Sequence, residues 1–174
     1  MSIVTVVGNP RPGSRTLGVA TALTAAVAAR SGVAEGPVHD LAGFGGQWLG
    51  PLSPDGEQAL AAAAEASVLV VATPTYKASY TGLLKAFLDR LPGGALRGTV
   101  AVPVTVAAAP THRFVADLQL RPVLAELGAS LPVPSFVVEE RELPDLLALA
   151  GRWATDHGPV LTATAGALAA AAAA

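Results

Sequence analysis

Five short apolar runs, separated by stretches of helical length, limit the fold of this 174-residue sequence more than any other feature. Residues 3–7, 68–71, 99–106 and 136–138 are rich in β-branched side chains and bounded by Gly or Pro; residues 37–41 form a weaker fifth run. Such runs are the pattern of strands buried on both faces. Pro103 inside the third clear run predicts an interruption or a bulge there. Between the runs, helices are expected over residues 16–31 (ending at Gly32), 57–66, 81–91, 111–127 (ending at Gly128) and 144–156, the last stopping before Gly158-Pro159. Strict alternation of strand and helix calls for a parallel sheet with helices on both faces.

Five strands fit a flavodoxin-like α/β three-layer sandwich, sheet order 2-1-3-4-5, better than a six-stranded dinucleotide fold. One domain is expected over residues 1–158. The alanine-rich end, residues 159–174, is expected as a C-terminal helix or a frayed tail.

Composition narrows the function classes. The net charge of −2 offers no field for nucleic acid or an anionic membrane. There is no cysteine, which excludes thiolate chemistry and Cys-ligated metals. His39, His112 and His157 lie far apart, without metal-ligand spacing, and read as surface or cap residues. The first residues show no basic region before the apolar run, and residues 158–174 are too short and too alanine-rich to span a membrane, so a cytoplasmic protein is expected. Apolar residues make up 52%, more than one domain of this size hides easily, which predicts a homo-dimer or tetramer. Leu83, Leu84, Phe87 and Leu88 repeat at helical spacing; Tyr80 and Leu91 are expected to carry that stripe past the sheet, onto another copy.

Two loops carry the chemistry. The first, residues 8–16 (GNPRPGSRT), follows the first strand and opens the first helix, at the sheet edge where ligands bind. A helix N-terminus with the hydroxyls of Ser14 and Thr16 and the guanidinium of Arg15 suits a phosphate monoester. Gly8 and Gly13 have the outer spacing of a P-loop, but Ser14-Arg15 stand where Lys and Ser or Thr belong; Pro10 replaces the middle glycine of the dinucleotide fingerprint. The second loop, residues 73–82 (TPTYKASYTG), follows the third strand. Pro74 stiffens it, and Tyr76 and Tyr80, the two tyrosines of the chain, offer faces for a flat ring.

These segments resemble the phosphate loop and the isoalloxazine loop of NAD(P)H-dependent FMN reductases, and residues 82–89 (GLLKAFLD) resemble the helix that follows. Residues 117–124 (DLQLRPVL) are similar to a helix of the branch associated with alkanesulfonate monooxygenases. The resemblance covers about residues 3–138. It departs from the family at Lys77 and Ala78, where Asn-Gly is usual, at Val106-Ala107-Ala108, where Thr-Gly-Gly is usual, and at Leu118, often a tyrosine in the sulfonate branch.

The resemblance implies FMN as cofactor, with NADPH or NADH as co-substrate. Ser14, Arg15 and Thr16 would hold the phosphate; Pro74, Thr75, Tyr76 and Lys77 would line the ring; Ala107 and Ala108 would face its far edge, their added methyl groups narrowing the site. A nicotinamide would stack on the flavin and pass it a hydride, with no catalytic acid or base required of the protein. The reduced flavin would go to a partner monooxygenase. An FMN-retaining quinone or azo reductase is the alternative; a flavodoxin-type carrier is a second, disfavoured because carriers use a strongly acidic docking surface.

Overall fold

The computed structural model describes residues 1–173. Five strands, β1 (Ser2–Val7), β2 (Ala34–Asp40), β3 (Val68–Pro74), β4 (Val100–Ala107) and β5 (Phe136–Glu139), form one parallel sheet in the order β2-β1-β3-β4-β5, as expected. Side chains alternate across it. Ile3, Val7, Val68, Val70, Ala72, Val100, Val102, Val104 and Val106 enter one apolar core with α1 (Arg15–Ser31) and the C-terminal helix. Val4, Val6, Leu69, Val71 and Ala101 enter the other, with α2 (Pro54–Glu65) and α3 (Gly82–Leu88). Two packed faces around one sheet give the three layers.

The weak run at residues 37–41 is a longer edge strand. Its outer positions stay exposed, so selection for apolar residues is weak there. Pro37 falls where the β1–β2 register shifts, between Ile3 and Thr5, an edge position that tolerates a missing donor.

Pro103 does not interrupt β4: its pairing with β3 runs unbroken from Val100 to Val106. The amide of Val100 bonds Ser67 on the β3 side and that of Ala101 bonds Ser130 on the other, so alternation directs the Pro103 nitrogen away from β3. Pairing with β5 begins only at Val104, and no ladder bond is lost.

The helix expected over residues 111–127 is three pieces: a 3-10 turn at Pro110–His112, a π turn at Ala116–Leu120 and α4 (Arg121–Glu126). Pro122 explains the break, because its ring disfavours a regular turn before it and suits the first turn of α4.

The last helix, α5 (Leu146–Ala172), starts after a 3-10 segment, Glu140–Asp145, and runs through Gly158 and Pro159 rather than stopping before them. An internal proline costs about 3 kcal/mol. Against that, Ala150, Ala154, Gly158, Leu161 and Ala165 form a buried stripe along α5, and four of the five join the core with Val19, Ala20, Leu23 and Val27 of α1. Arg30 Nε donates to Thr155 Oγ1 at 2.8 Å and ties the two helices. The alanine-rich segment is thus helical to Ala172; its final residue lies outside the described residues. No described helix is long and apolar enough to cross a membrane.

The apolar stripe of α3 is consumed inside the chain. Leu84, Phe87, Leu88 and Leu91 are buried, and Tyr80 and Leu83 pack against the same core. The expectation that Tyr80 and Leu91 overhang the sheet is not met, because Trp48, Leu96 and the residues of α4 cover that flank.

Candidate functional site

The first and second loops meet at the carboxyl edge of the sheet, at the switch point between β1 and β3. Gly8 joins them. Its amide donates to the Ala72 carbonyl at 2.8 Å, its carbonyl accepts from the Thr81 hydroxyl, and a Cβ here would run into Leu84 of α3. Close approach, rather than a phosphate fingerprint, is what requires this glycine.

A cleft of about 510 Å³ opens between the loops, lined by Asn9 and residues 11–16, by Pro74, Thr75 and Tyr76, and by Val106, Ala108 and Glu140. It falls within the usual range for small-ligand sites. Of the residues expected from the sequence, Ser14, Arg15, Thr16, Pro74, Thr75, Tyr76 and Ala108 line it. Lys77 and Ala107 do not: Lys77 is exposed on the turn beyond Tyr76, and Ala107 is fully buried. Strand alternation turns one of the two alanine methyls inward, so a single added methyl, that of Ala108, meets the cleft.

On the first-loop side, Ser14 caps α1, its Oγ accepting from the Leu17 amide at 3.2 Å. Thr16 is buried, and its Oγ1 accepts from Asn9 Nδ2 at 3.0 Å. In both cases the oxygen is engaged as an acceptor and the hydroxyl proton is free to serve a ligand. No acidic residue of α1 itself lies in its first turn, so the positive end of the helix dipole faces the cleft, while Asp40 Oδ2 accepts from the Gly13 amide at 3.4 Å just before the cap. Arg15 Nη2 lies 2.9 Å from Glu140 Oε1, across the cleft.

On the second-loop side, the Thr75 amide donates to the Val106 carbonyl at 3.2 Å and so fixes the loop to β4. The Thr75 hydroxyl is buried without a hydrogen-bond partner, a condition that calls for a polar ligand. Tyr76 and Ser79 exchange both backbone hydrogen bonds, at 2.8 and 3.0 Å, around Lys77 (φ 51°) and Ala78 (φ 60°). Two successive positive φ values make a type I′ hairpin turn, which ordinarily takes Asn-Gly. The turn that presents Tyr76 is therefore kept although its preferred residues are gone.

The segment after β5 was not legible as part of the site. Glu139 is buried and its carboxylate is gripped by Arg113 at 2.9 Å and Arg141 at 2.8 Å. The hydrogen bond from Arg113 first, then the charge of Arg141, hold the Glu139 carboxyl below the usual carboxylate range. Glu142 Oε2 accepts from the Glu139 amide at 2.8 Å and completes a capping box. This anchoring sets Glu140, the next residue, on the cleft wall. The signal available in the sequence was position alone, since Glu140 directly follows a strand at the ligand-binding edge.

A second cleft, of about 450 Å³, is lined by Arg113, Phe114, Phe136, Trp153 and His157 among others. It holds no residue of either loop. Among the described residues no group of three or more His, Cys, Asp or Glu side chains is placed to hold a metal.

A family model described as NADPH-dependent FMN reductase matches residues 1–142. The FMN reductase (NADPH) of Escherichia coli (strain K12) is 38% identical over 81 residues, covering 47% of this chain and 42% of its own. The NADH-dependent FMN reductase SfnF of Pseudomonas putida is 34% identical over 128 residues, covering 71% of this chain and 69% of its own. The chain thus spans less than half of the Escherichia coli relative and about two thirds of SfnF. Among solved structures, apo NADH:FMN oxidoreductase (EMOB) superposes with a TM-score of 0.82 at 36% identity, over 91% of this chain and 88% of that one.

Proposed function

The chain belongs to the NADPH-dependent FMN reductase family, and on that premise we propose that it reduces FMN with NADPH or NADH and passes the reduced flavin to a partner monooxygenase. One observation carries the reading. The cleft joins a helix N-terminus, furnished with Ser14, Arg15 and Thr16, to a stiffened loop whose Thr75 hydroxyl is buried without a partner. A phosphate monoester fits the first part, and the polar edge of a heterocycle fits the second.

The flavin supplies the chemistry when bound, accepting a hydride from a nicotinamide. The residues of this chain bind and orient. Ser14 and Thr16 offer hydroxyl protons to the phosphate and Arg15 offers charge. Pro74 and the Thr75–Val106 bond fix the height of the loop, Thr75 serves the ring edge, and Tyr76, 42% exposed, stands at the wall as an aromatic surface. Ala108 sits where the family usually has glycine and limits how closely the backbone approaches the ring. Lys77, outside the cleft lining, is left to act on the nicotinamide or its phosphate at the rim.

The relative named as an NADH-dependent FMN reductase supports FMN itself as the acceptor, and a flavin released in reduced form is what a partner monooxygenase would consume. Exposed Leu49, Phe114, Leu118 and Leu147, in a chain that is 52% apolar, support a homo-dimer or tetramer. Use of reduced nicotinamide nucleotides supports a cytoplasmic location. The deciding experiment is steady-state oxidation of NADH and NADPH with FMN or a quinone as acceptor. Turnover that rises with free FMN supports the proposal; turnover that needs a quinone, with FMN remaining bound, overturns it in favour of the retained-flavin alternative.

A further inference from the structure

We propose that Glu140 is a specificity-determining residue that weakens the cleft's hold on the phosphate of FMN and so narrows its preference for FMN over a flavin without a phosphate. The inference rests on the FMN reading above. Its basis is the one carboxylate in the cleft lining and the guanidinium it occupies. Glu140 Oε1 lies 2.9 Å from Arg15 Nη2, and both residues line the cleft. The neighbouring carboxylates are committed elsewhere: Glu139 to Arg113 and Arg141, and Glu142 to Arg113 and the Glu139 amide. The capping box and the buried Glu139 fix the start of the Glu140–Asp145 segment, so the backbone of Glu140 is anchored at the rim and its side chain reaches Arg15 from there.

A phosphate monoester carries about −1.5 to −2 charge at neutral pH. To reach Arg15 it must displace the Glu140 carboxylate, and it then lies beside that carboxylate. Competition and repulsion both lower affinity, and both act on the phosphate alone. Riboflavin, which has the same ring and no phosphate, is indifferent to them.

The test is equilibrium titration of FMN and riboflavin, by quenching of flavin fluorescence at low salt, into the unmodified protein, Glu140→Gln and Glu140→Ala. An exposed ion pair is worth up to about 1 kcal/mol, or about fivefold in binding. Both variants are therefore expected to bind FMN about fivefold more tightly and riboflavin as before, with the FMN gain shrinking in high salt. Unchanged or weaker FMN binding in the variants overturns the inference while leaving the reductase reading intact. Equal tightening of both ligands also overturns it, since the effect is then not on the phosphate. Failure of the unmodified protein to bind FMN at all removes the reductase reading, and this inference with it.

Discussion

The hydroxyl of Thr81 donates a hydrogen bond to the carbonyl of Gly8, 73 residues earlier in the chain. The same oxygen accepts from the Leu84 amide at 3.1 Å and caps α3, while the Thr81 amide donates to Thr73 Oγ1 at 3.2 Å. One buried residue thus fastens the phosphate loop, the ring loop and the helix behind them, its side chain making the bonds to the first and the last. Replacing it by the isosteric valine removes the cap and orphans a buried carbonyl. Thr81→Val is expected to cost about 2 kcal/mol of stability, read as a lowered urea midpoint with unchanged slope. A loss below about 0.5 kcal/mol would mean that the knot is unimportant.

The hairpin turn that presents Tyr76 is strained. Lys77 and Ala78 both have φ values of an Asn-Gly type I′ turn, and each non-glycine residue in that region costs about 1–2 kcal/mol. The double substitution Lys77→Asn, Ala78→Gly is expected to raise stability by about 1–2 kcal/mol, after allowing for glycine's freedom in the unfolded chain. Urea unfolding checks it. A destabilised double variant would show that the lysine makes up for the turn's strain elsewhere.

How much of this was legible follows from range. The strands, their order and the two loops could be read, because burial writes β-branched runs and ligand loops occur where strands end. Ser14, Arg15, Thr16, Pro74, Thr75 and Tyr76 converge because they sit at the ends of adjacent strands. Ala107 was misplaced because a one-residue shift along a strand reverses its face. The run of α5 through Pro159 was illegible, since its support comes from helix α1, more than a hundred residues away. Glu140 was legible only by its position after β5, and its pairing was not, because its partner Arg15 is near only after folding.

Acid should weaken the fold through Glu139. Its pKa is lowered in the folded state by Arg113 and Arg141, so the unfolded chain binds the proton more readily. The stabilisation is complete above the unfolded carboxyl range, near pH 4 to 5, and is lost as pH falls through the lower folded value. Glu139→Gln is expected to be less stable at neutral pH and to show a shallower acid limb between that range and lower pH. Thermal unfolding as a function of pH reads it, and parallel curves for the two proteins would rule out this role.

Exposed Phe114, Leu118 and Leu147 predict self-association. Sedimentation at micromolar concentration is expected to give at least twice the 17.3 kDa chain mass, with two-fold contacts favoured. A chain-mass species across a wide concentration range would refute it.

Arg15 gives the sharpest test of the phosphate cradle. Its guanidinium reaches the cleft from the first turn of α1, and its side chain is 61% exposed. A charge-assisted contact to phosphate is ordinarily worth about 1.5–3 kcal/mol; solvent at so open a position reduces this to about 1 kcal/mol, or about fivefold. Arg15→Ala also leaves Glu140 facing the phosphate without its counter-charge, which pushes in the same direction. FMN affinity is therefore expected to fall at least about fivefold while riboflavin affinity stays within about twofold. Raising the salt should shrink the difference, because the interaction is electrostatic and open to ions. Equal losses for the two ligands would take Arg15 out of the phosphate site and leave Ser14, Thr16 and the helix N-terminus as its anion-binding groups.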